Sequence, residues 1–164
     1  MVTAREIAEA VLDPELPMLT LADLGILRDV QETTDGGVIV TITPTYSGCP
    51  AMGAIRADLC GALGAAGYAE VEVRTSLSPA WTTDWISERG RRKLADAGIA
   101  PPGTAPVRPS GPVPVTLGPN RRRLSCPHCG SADTEELSRF GATACKALWR
   151  CRACREPFEH VKEI

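Results

Sequence analysis

Two C-x-x-C pairs, Cys126-Pro127-His128-Cys129 and Cys151-Arg152-Ala153-Cys154, stand twenty-one residues apart and restrict the fold of residues 126–154 more than any other feature of the chain. A two-residue gap lets both thiolates of a pair reach one ion while the backbone curls around them. Two such pairs complete a tetrahedral site, with metal–sulfur distances of about 2.3 Å for zinc. The separation is close to the usual pattern of four-cysteine zinc sites. The segment between, with Leu137, Phe140 and Trp149, suits a ribbon hairpin too small to hold without metal. The spacing therefore predicts a zinc ribbon with Cys126, Cys129, Cys151 and Cys154 as ligands. An iron–sulfur centre on the same four thiolates is the competing reading, since geometry and softness suit both. A thioredoxin-like redox pair fits less well, because two matched pairs share one short segment. Cys145 lies six residues before Cys151 and is open to three readings: exchange with a ligand, a second metal, or a spare thiol packed on the ribbon. His128, inside a knuckle, reads as a neighbour of the site rather than a ligand.

The cysteine count supports metal over disulfides. Seven cysteines is an odd number, and the opening residues Met1-Val2-Thr3-Ala4-Arg5-Glu6 lack the apolar run of a secretory signal. No stretch approaches transmembrane length, so the expected compartment is the cytoplasm, with no membrane partner. A formal net charge of −2 gives no global pull toward nucleic acid. Arg121-Arg122-Arg123 precedes the first knuckle and is a candidate phosphate contact. The nearby Asp133, Glu135, Glu136, Glu156, Glu159 and Glu163 favour a solvated patch instead.

Residues 101–119 hold seven of the fourteen prolines. Such a segment neither continues a helix nor sits inside a sheet. The expected organisation is a domain over 1–100, a proline-rich linker over 101–120 and a ribbon domain over 121–164. The linker either runs free or lies along the first domain through Val107, Val113, Val115 and Leu117. In the first hundred residues Thr3 caps a short helix carrying Ile7, Val11 and Leu12 on one side, ended by Asp13-Pro14. Strands are expected over 25–32 and 37–43 around the turn Asp35-Gly36-Gly37, and over 69–75. Met52, Ile55, Leu59 and Leu63 give a helix over 50–66, and Ile86, Gly90 and Leu94 share a face of another over 83–97. This order describes a small α+β domain with helices packed on a short mixed sheet. Only 4% of residues are aromatic, so its helices pack mainly through Ala, Leu, Ile and Val.

Cys49 precedes Pro50 at the predicted start of the helix over 50–66. Proline suits a first helical position, which would make Cys49 the N-cap, where N–H groups and the helix dipole favour a thiolate. An iron or cluster ligand is one reading of Cys49; a small buried cysteine filling a strand-to-helix corner is the other. Cys60, mid-helix beside Leu59, reads as a core or boundary residue. Asp13-Pro14-Glu15 and Asp23-Leu24-Gly25 put carboxylates on loops flanking the first strand, which is common turn chemistry. With no Ser/His/Asp set, no phosphate-binding glycine loop and only two histidines, no catalytic residues are assigned and an enzyme acting alone is not expected.

Asp13-Pro14-Glu15-Leu16-Pro17, Asp23-Leu24-Gly25 and Gly48-Cys49-Pro50 resemble a small domain of iron–sulfur cluster assembly factors, including the SufT-like proteins. Four further stretches are similar to the PaaD family of the bacterial phenylacetyl-CoA epoxidase system. They are Ser78-Pro79-Ala80-Trp81-Thr82-Thr83-Asp84-Trp85-Ile86-Ser87, Gly90-Arg91-Arg92-Lys93-Leu94, the run from Phe140 to Leu148 with its Cys145-Lys146, and Glu156-Pro157-Phe158. The resemblance implies a non-catalytic accessory role in aerobic phenylacetate catabolism, with the oxygenase and reductase components as partners. It also implies help in assembling their iron–sulfur or diiron centres; the alternative is a non-catalytic structural subunit that bridges oxygenase components through its zinc ribbon, with no metal moved. By the same resemblance Cys49 becomes a possible ligand for iron or a transient cluster, Asp13 and Glu15 possible supports beside it, and Cys145 more than a spare thiol. Ahead of Cys49 the chain reads Thr45-Tyr46-Ser47-Gly48, longer than the usual Thr-x-x-Cys-Pro. One thiolate is too few for a cluster, so ligand count implies a homodimer sharing one at Cys49.

Overall fold

The computed structural model describes residues 2–105, 111 and 124–164. They belong to two compact units, Met1–Leu94 and Ala95–Ile164. Most of the proline-rich connector, with Val107, Val113, Val115 and Leu117, and the arginines 121–123 lie outside the described residues.

The first unit is α+β. Its elements are α1 (Ala4–Ala10), β1 (Leu27–Glu32), β2 (Val38–Ile42), α2 (Met52–Ala65), β3 (Val71–Thr75), a 3-10 turn (Thr83–Trp85) and α3 (Glu88–Asp96). The sheet is mixed, in the order β1-β2-β3, with β1 antiparallel and β3 parallel to β2. A parallel neighbour needs a crossover, and α2 supplies it. Val38, Val40 and Ile42 of the central strand are buried, as are Ile55, Leu59 and Leu63 along one face of α2. The hairpin closes where expected, with Gly36 at φ +85° and Glu32 opposite Val38.

Four local readings are corrected. The chain leaves α1 at Val11 in an extended conformation and pairs Leu12 with Thr20. Extended backbone alternates, so Val11 and Asp13 turn inward and Leu12 outward. The buried face of α1 is therefore Ala4 and Ala8 with Val11, rather than Ile7, Val11 and Leu12. The helix expected over 83–97 is two pieces, because Ile86 is extended and Ser87 begins α3 by accepting the Gly90 N–H on its hydroxyl at 2.9 Å. Cys60 is exposed, since it sits one position beyond the buried Leu59 on a helix with one buried face. Finally, α2 starts at Met52 with Ala51 before it, which takes Cys49 out of the N-cap position.

The Asp23-Leu24-Gly25 loop and the segment after β3, read separately in the sequence, lock together. The buried Asp23 carboxylate accepts from Arg89 Nε at 2.7 Å, Lys93 Nζ at 2.8 Å and Ser87 Oγ at 3.1 Å. Trp81 Nε1 donates to the Leu24 carbonyl at 2.9 Å. Gly25, at φ +69°, lies so close to Trp85 that a Cβ would come within 2.6 Å of the Trp85 Cβ, and a Cβ on Gly90 would meet the Asp23 carbonyl at 2.9 Å. A bulge at Arg28 accompanies stacking of its guanidinium over the Trp85 ring at 3.7 Å.

The second unit is a four-stranded sheet in the order β4-β7-β6-β5, built from β4 (Ile99–Ala100), β5 (Thr134–Ser138), β6 (Lys146–Cys151) and β7 (Pro157–Val161). β5, β6 and β7 are antiparallel, and β4 runs parallel to β7. Ala147, Trp149 and Cys151 alternate onto one face of β6 and form a core with Ala100, Cys126 and Phe158.

Burial alone would raise the Asp23 pKa, but the hydrogen bonds from Lys93, Arg89, the Thr20 N–H and Ser87 outweigh it and hold the carboxyl well below the usual range. A group depressed on folding contributes stability that is complete above its unfolded pKa, about 3.9, and is lost as pH falls below that value. Asp23→Asn is expected to destabilise the first unit by about 2 kcal/mol, less than the full cost of about 3–5 kcal/mol for a broken buried pair, because Arg89 and Lys93 return to water. Thermal unfolding between pH 3 and 7 checks this: the variant loses less stability than the parent on acidification below pH 4.

Candidate metal centre

The four cysteines of the C-x-x-C pairs converge. All four Sγ atoms lie within 4.8 Å of one another, with Cys126 Sγ to Cys154 Sγ at 3.7 Å and Cys129 Sγ to Cys151 Sγ at 3.6 Å. A tetrahedron with metal–sulfur bonds of about 2.3 Å has sulfur–sulfur edges of about 3.8 Å, so the spacing fits one ion. A polynuclear cluster inserts several irons and sulfides between its thiolates and needs them farther apart.

The two knuckles are built alike. In each, a backbone N–H two or three residues on points at the first sulfur: His128 N to Cys126 Sγ at 3.4 Å and Cys154 N to Cys151 Sγ at 3.5 Å. The residue after each second cysteine turns through positive φ, Gly130 at +74° and Arg155 at +67°. That turn sends the chain on without pulling the sulfur away. The Cys154 N–H draws the Cys151 thiol down to about 7. Cys154 is favoured by the Glu156 N–H, but burial and the sulfurs of Cys151, Cys129 and Cys126 push it up to about 12. Four thiols this close do not all ionise side by side, whereas a divalent cation removes the conflict by deprotonating its ligands outright. Cys126 and Cys151 are buried in the ribbon core, Cys154 is half-buried and Cys129 is exposed.

These four form the one group of three or more His, Cys, Asp or Glu side chains placed to hold a metal among the described residues. Cys145 is not in it. Its Sγ lies 3.1 Å from Thr143 Oγ1, and its carbonyl accepts the Lys162 N–H at 2.9 Å. His128 is exposed, with its ring beside Gly98. In the first unit, half-buried Cys49 closes a turn with Tyr46 (N–H to carbonyl, 3.2 Å), and its own carbonyl accepts the Met52 N–H at 3.4 Å. Asp13 is buried and shapes its loop by accepting the Glu15 and Leu16 N–H groups on Oδ1 at 2.9 and 2.8 Å. Neither Asp13 nor Glu15 joins Cys49 in a ligand group of three. Two features went unread in the sequence. One is the Asp23 ion-pair cluster; the other is the buried Lys146, paired to Glu159 at 2.7 Å. Ser87 followed by Gly90 was the available signal for the first, and nothing local marks the second.

Residues 110–162 match the PaaD zinc beta ribbon domain, and residues 5–74 match the iron-sulfur cluster assembly protein family. Over 152 residues, 93% of this chain and 86% of the relative, the chain is 45% identical to an Escherichia coli (strain K12) protein that is named as a subunit of a "Putative 1,2-phenylacetyl-CoA epoxidase". An "Fe-S protein maturation auxiliary factor" of Porphyromonas gingivalis is 34% identical over 85 residues, 51% of this chain and 80% of that protein. A crystal structure of a domain of unknown function from Bacillus anthracis aligns with a TM-score of 0.51 at 30% identity, covering 56% of this chain and 87% of that one.

Because ligand sulfurs are part of the ribbon core, Cys151→Ser or exhaustive chelation is expected to unfold the second unit and leave the first folded. Structural zinc contributes on the order of 10–16 kcal/mol to small domains of this kind, more than so small a core replaces. Two-dimensional amide NMR checks it, through collapse of signals from residues 124–164 with those of the first unit retained.

Proposed function

Because the chain belongs to the PaaD family, we propose that it is a cytoplasmic, non-catalytic maturation factor for the phenylacetyl-CoA epoxidase system of aerobic phenylacetate catabolism. It assists assembly of iron–sulfur or diiron centres in the oxygenase and reductase components. Zinc is the resident ion of Cys126, Cys129, Cys151 and Cys154, where it folds the ribbon that docks on those partners. The observation that carries this reading is the contrast between the two kinds of cysteine. Two of the ribbon thiols, Cys126 and Cys151, are part of a hydrophobic core that must open before their metal leaves, whereas Cys49 sits on a turn ahead of α2. A ligand on a turn suits cargo that must leave. One thiolate holds a cluster only with ligands from elsewhere, so a second copy of the chain, bringing its own Cys49, completes the transient site. Asp13 and Glu15 shape the neighbouring loop in this reading. No helix of the described residues is long and apolar enough to cross a membrane.

A second reading, a stoichiometric component that bridges oxygenase components through the ribbon, is supported by the word "subunit" in the name of the E. coli relative. Constant stoichiometry through purification favours it; transient, substoichiometric association favours maturation. The direct test is Cys49→Ser in cells. Expected is a loss of about tenfold or more in cluster content of the reductase and in epoxidase activity, with ribbon zinc unchanged. Unaltered cluster content and activity remove Cys49 from any delivery role.

A further inference from the structure

The ribbon sheet takes one of its strands from the near side of the proline-rich connector. β4 (Ile99–Ala100) comes before residues 101–119, yet it pairs in parallel with β7, Ile99 opposite Glu159 and Ala100 opposite His160. Contacts along residues 98–103 hold this segment to the ribbon. A Cβ on Gly98 would come within 2.8 Å of His128 Cε1, so glycine lets the backbone pass close against the imidazole of the first knuckle. Ala100 is 3% exposed and lies in the same core as the ligands Cys126 and Cys151. Its carbonyl stands 3.3 Å from His160 Nδ1. Pro102 is buried, and the Gly103 N–H donates to Glu163 Oε1 at 3.0 Å.

Upstream, α3 stops where this segment begins. The Gly98 N–H donates to the Ala95 carbonyl at 3.0 Å and Gly98 turns through φ +76°, the left-handed conformation that commonly ends a helix. Only Ala97 and Gly98 separate α3 from β4. A strand of two residues has no stability of its own. Its slot is lined by a core that contains ligand sulfurs, so the slot closes when those sulfurs are ligated and opens when they are not.

We propose that residues 98–103 are a metal-dependent strap that sets the length of the link between α3 and the ribbon. With the four cysteines ligated the strap docks as β4, the link is Ala97-Gly98 alone, and the proline-rich run is a loop within the ribbon unit. With the metal lost the strap comes away, and residues 97–123 become a tether with a span of roughly 30 Å as a flexible chain. This deepens the reading of the ribbon as the docking module and rests on zinc being its resident ion. A short link holds a docked partner at high effective concentration for the first unit, and metal loss relaxes it. The test is NMR on the ¹⁵N-labelled full chain. On chelation, the signals of residues 98–103 are expected to collapse together with those of 124–164, while Ile55, Leu59 and Leu63 keep theirs. Strap signals that persist while 124–164 collapse overturn the proposal. Survival of both sets overturns the strap and the metal-folded ribbon together. In the zinc-loaded chain, a flexible Gly-Ser insertion of about eight residues after Ala97 is expected to make the ribbon amides tumble about 1.5 times faster by ¹⁵N relaxation. The same insertion after Ser110 is expected to leave their tumbling unchanged, because it only enlarges a loop. Equal loosening by the two insertions, or none by either, overturns the proposal. Neither measurement reads Cys49, so failure of the strap leaves delivery through that thiol standing, and failure of the Cys49 test leaves the strap standing.

Discussion

Convergence of four sulfurs on one point is the constraint that the second unit depends on. Cys126 and Cys151 belong to the same apolar cluster as Ala100, Ala147, Trp149 and Phe158, so ligation and core formation are one event. Among the described residues the sheet has four strands, one of them only two residues long, and their buried apolar side chains are too few to offset the chain entropy of ordering it. Ligand binding replaces a larger core. Thiolates that complete a hydrophobic core make a poor exchange site, and for that reason the cargo site proposed above is Cys49 rather than the ribbon.

The first unit is organised around a different kind of lock. Asp23 is buried under three side-chain donors that all come from the segment Ser87–Lys93, while Gly25 and Gly90 permit the backbone contact that brings those donors in. Trp81 and Trp85 seal the same junction through the Leu24 carbonyl and the Arg28 guanidinium. These contacts tie the 23–28 loop to the segment from Trp81 to Lys93.

Features with a strong local signature were legible in the sequence. Two matched C-x-x-C pairs identify their own ligands, Thr3 with Glu6 forms the capping box it spells, and Ile55, Leu59 and Leu63 bury as their spacing implies. Features set by backbone geometry or by distant partners were not. Val11-Leu12-Asp13 fits a helical stripe as well as an extended alternation, and only pairing with residues 19–21 decides between them. The break at Ile86-Ser87 depends on Asp23, sixty-four residues away from Ser87. A strand as short as Ile99-Ala100 has no periodicity to read, and its membership of the ribbon sheet follows from pairing with β7. Of the candidate site, the convergence of the four cysteines was legible from their spacing, and the turn at Cys49 only roughly.

The proposed function divides labour between a permanent ion in the ribbon and exchangeable cargo at Cys49. Elemental analysis combined with visible absorption spectroscopy, on chain purified anaerobically as wild type, Cys49→Ser and Cys151→Ser, addresses that division directly. The expected result is one zinc per chain in the wild type and in Cys49→Ser, with a broad visible band that disappears in Cys49→Ser. A visible band that survives Cys49→Ser and vanishes with Cys151→Ser, accompanied by iron in place of zinc, overturns that division.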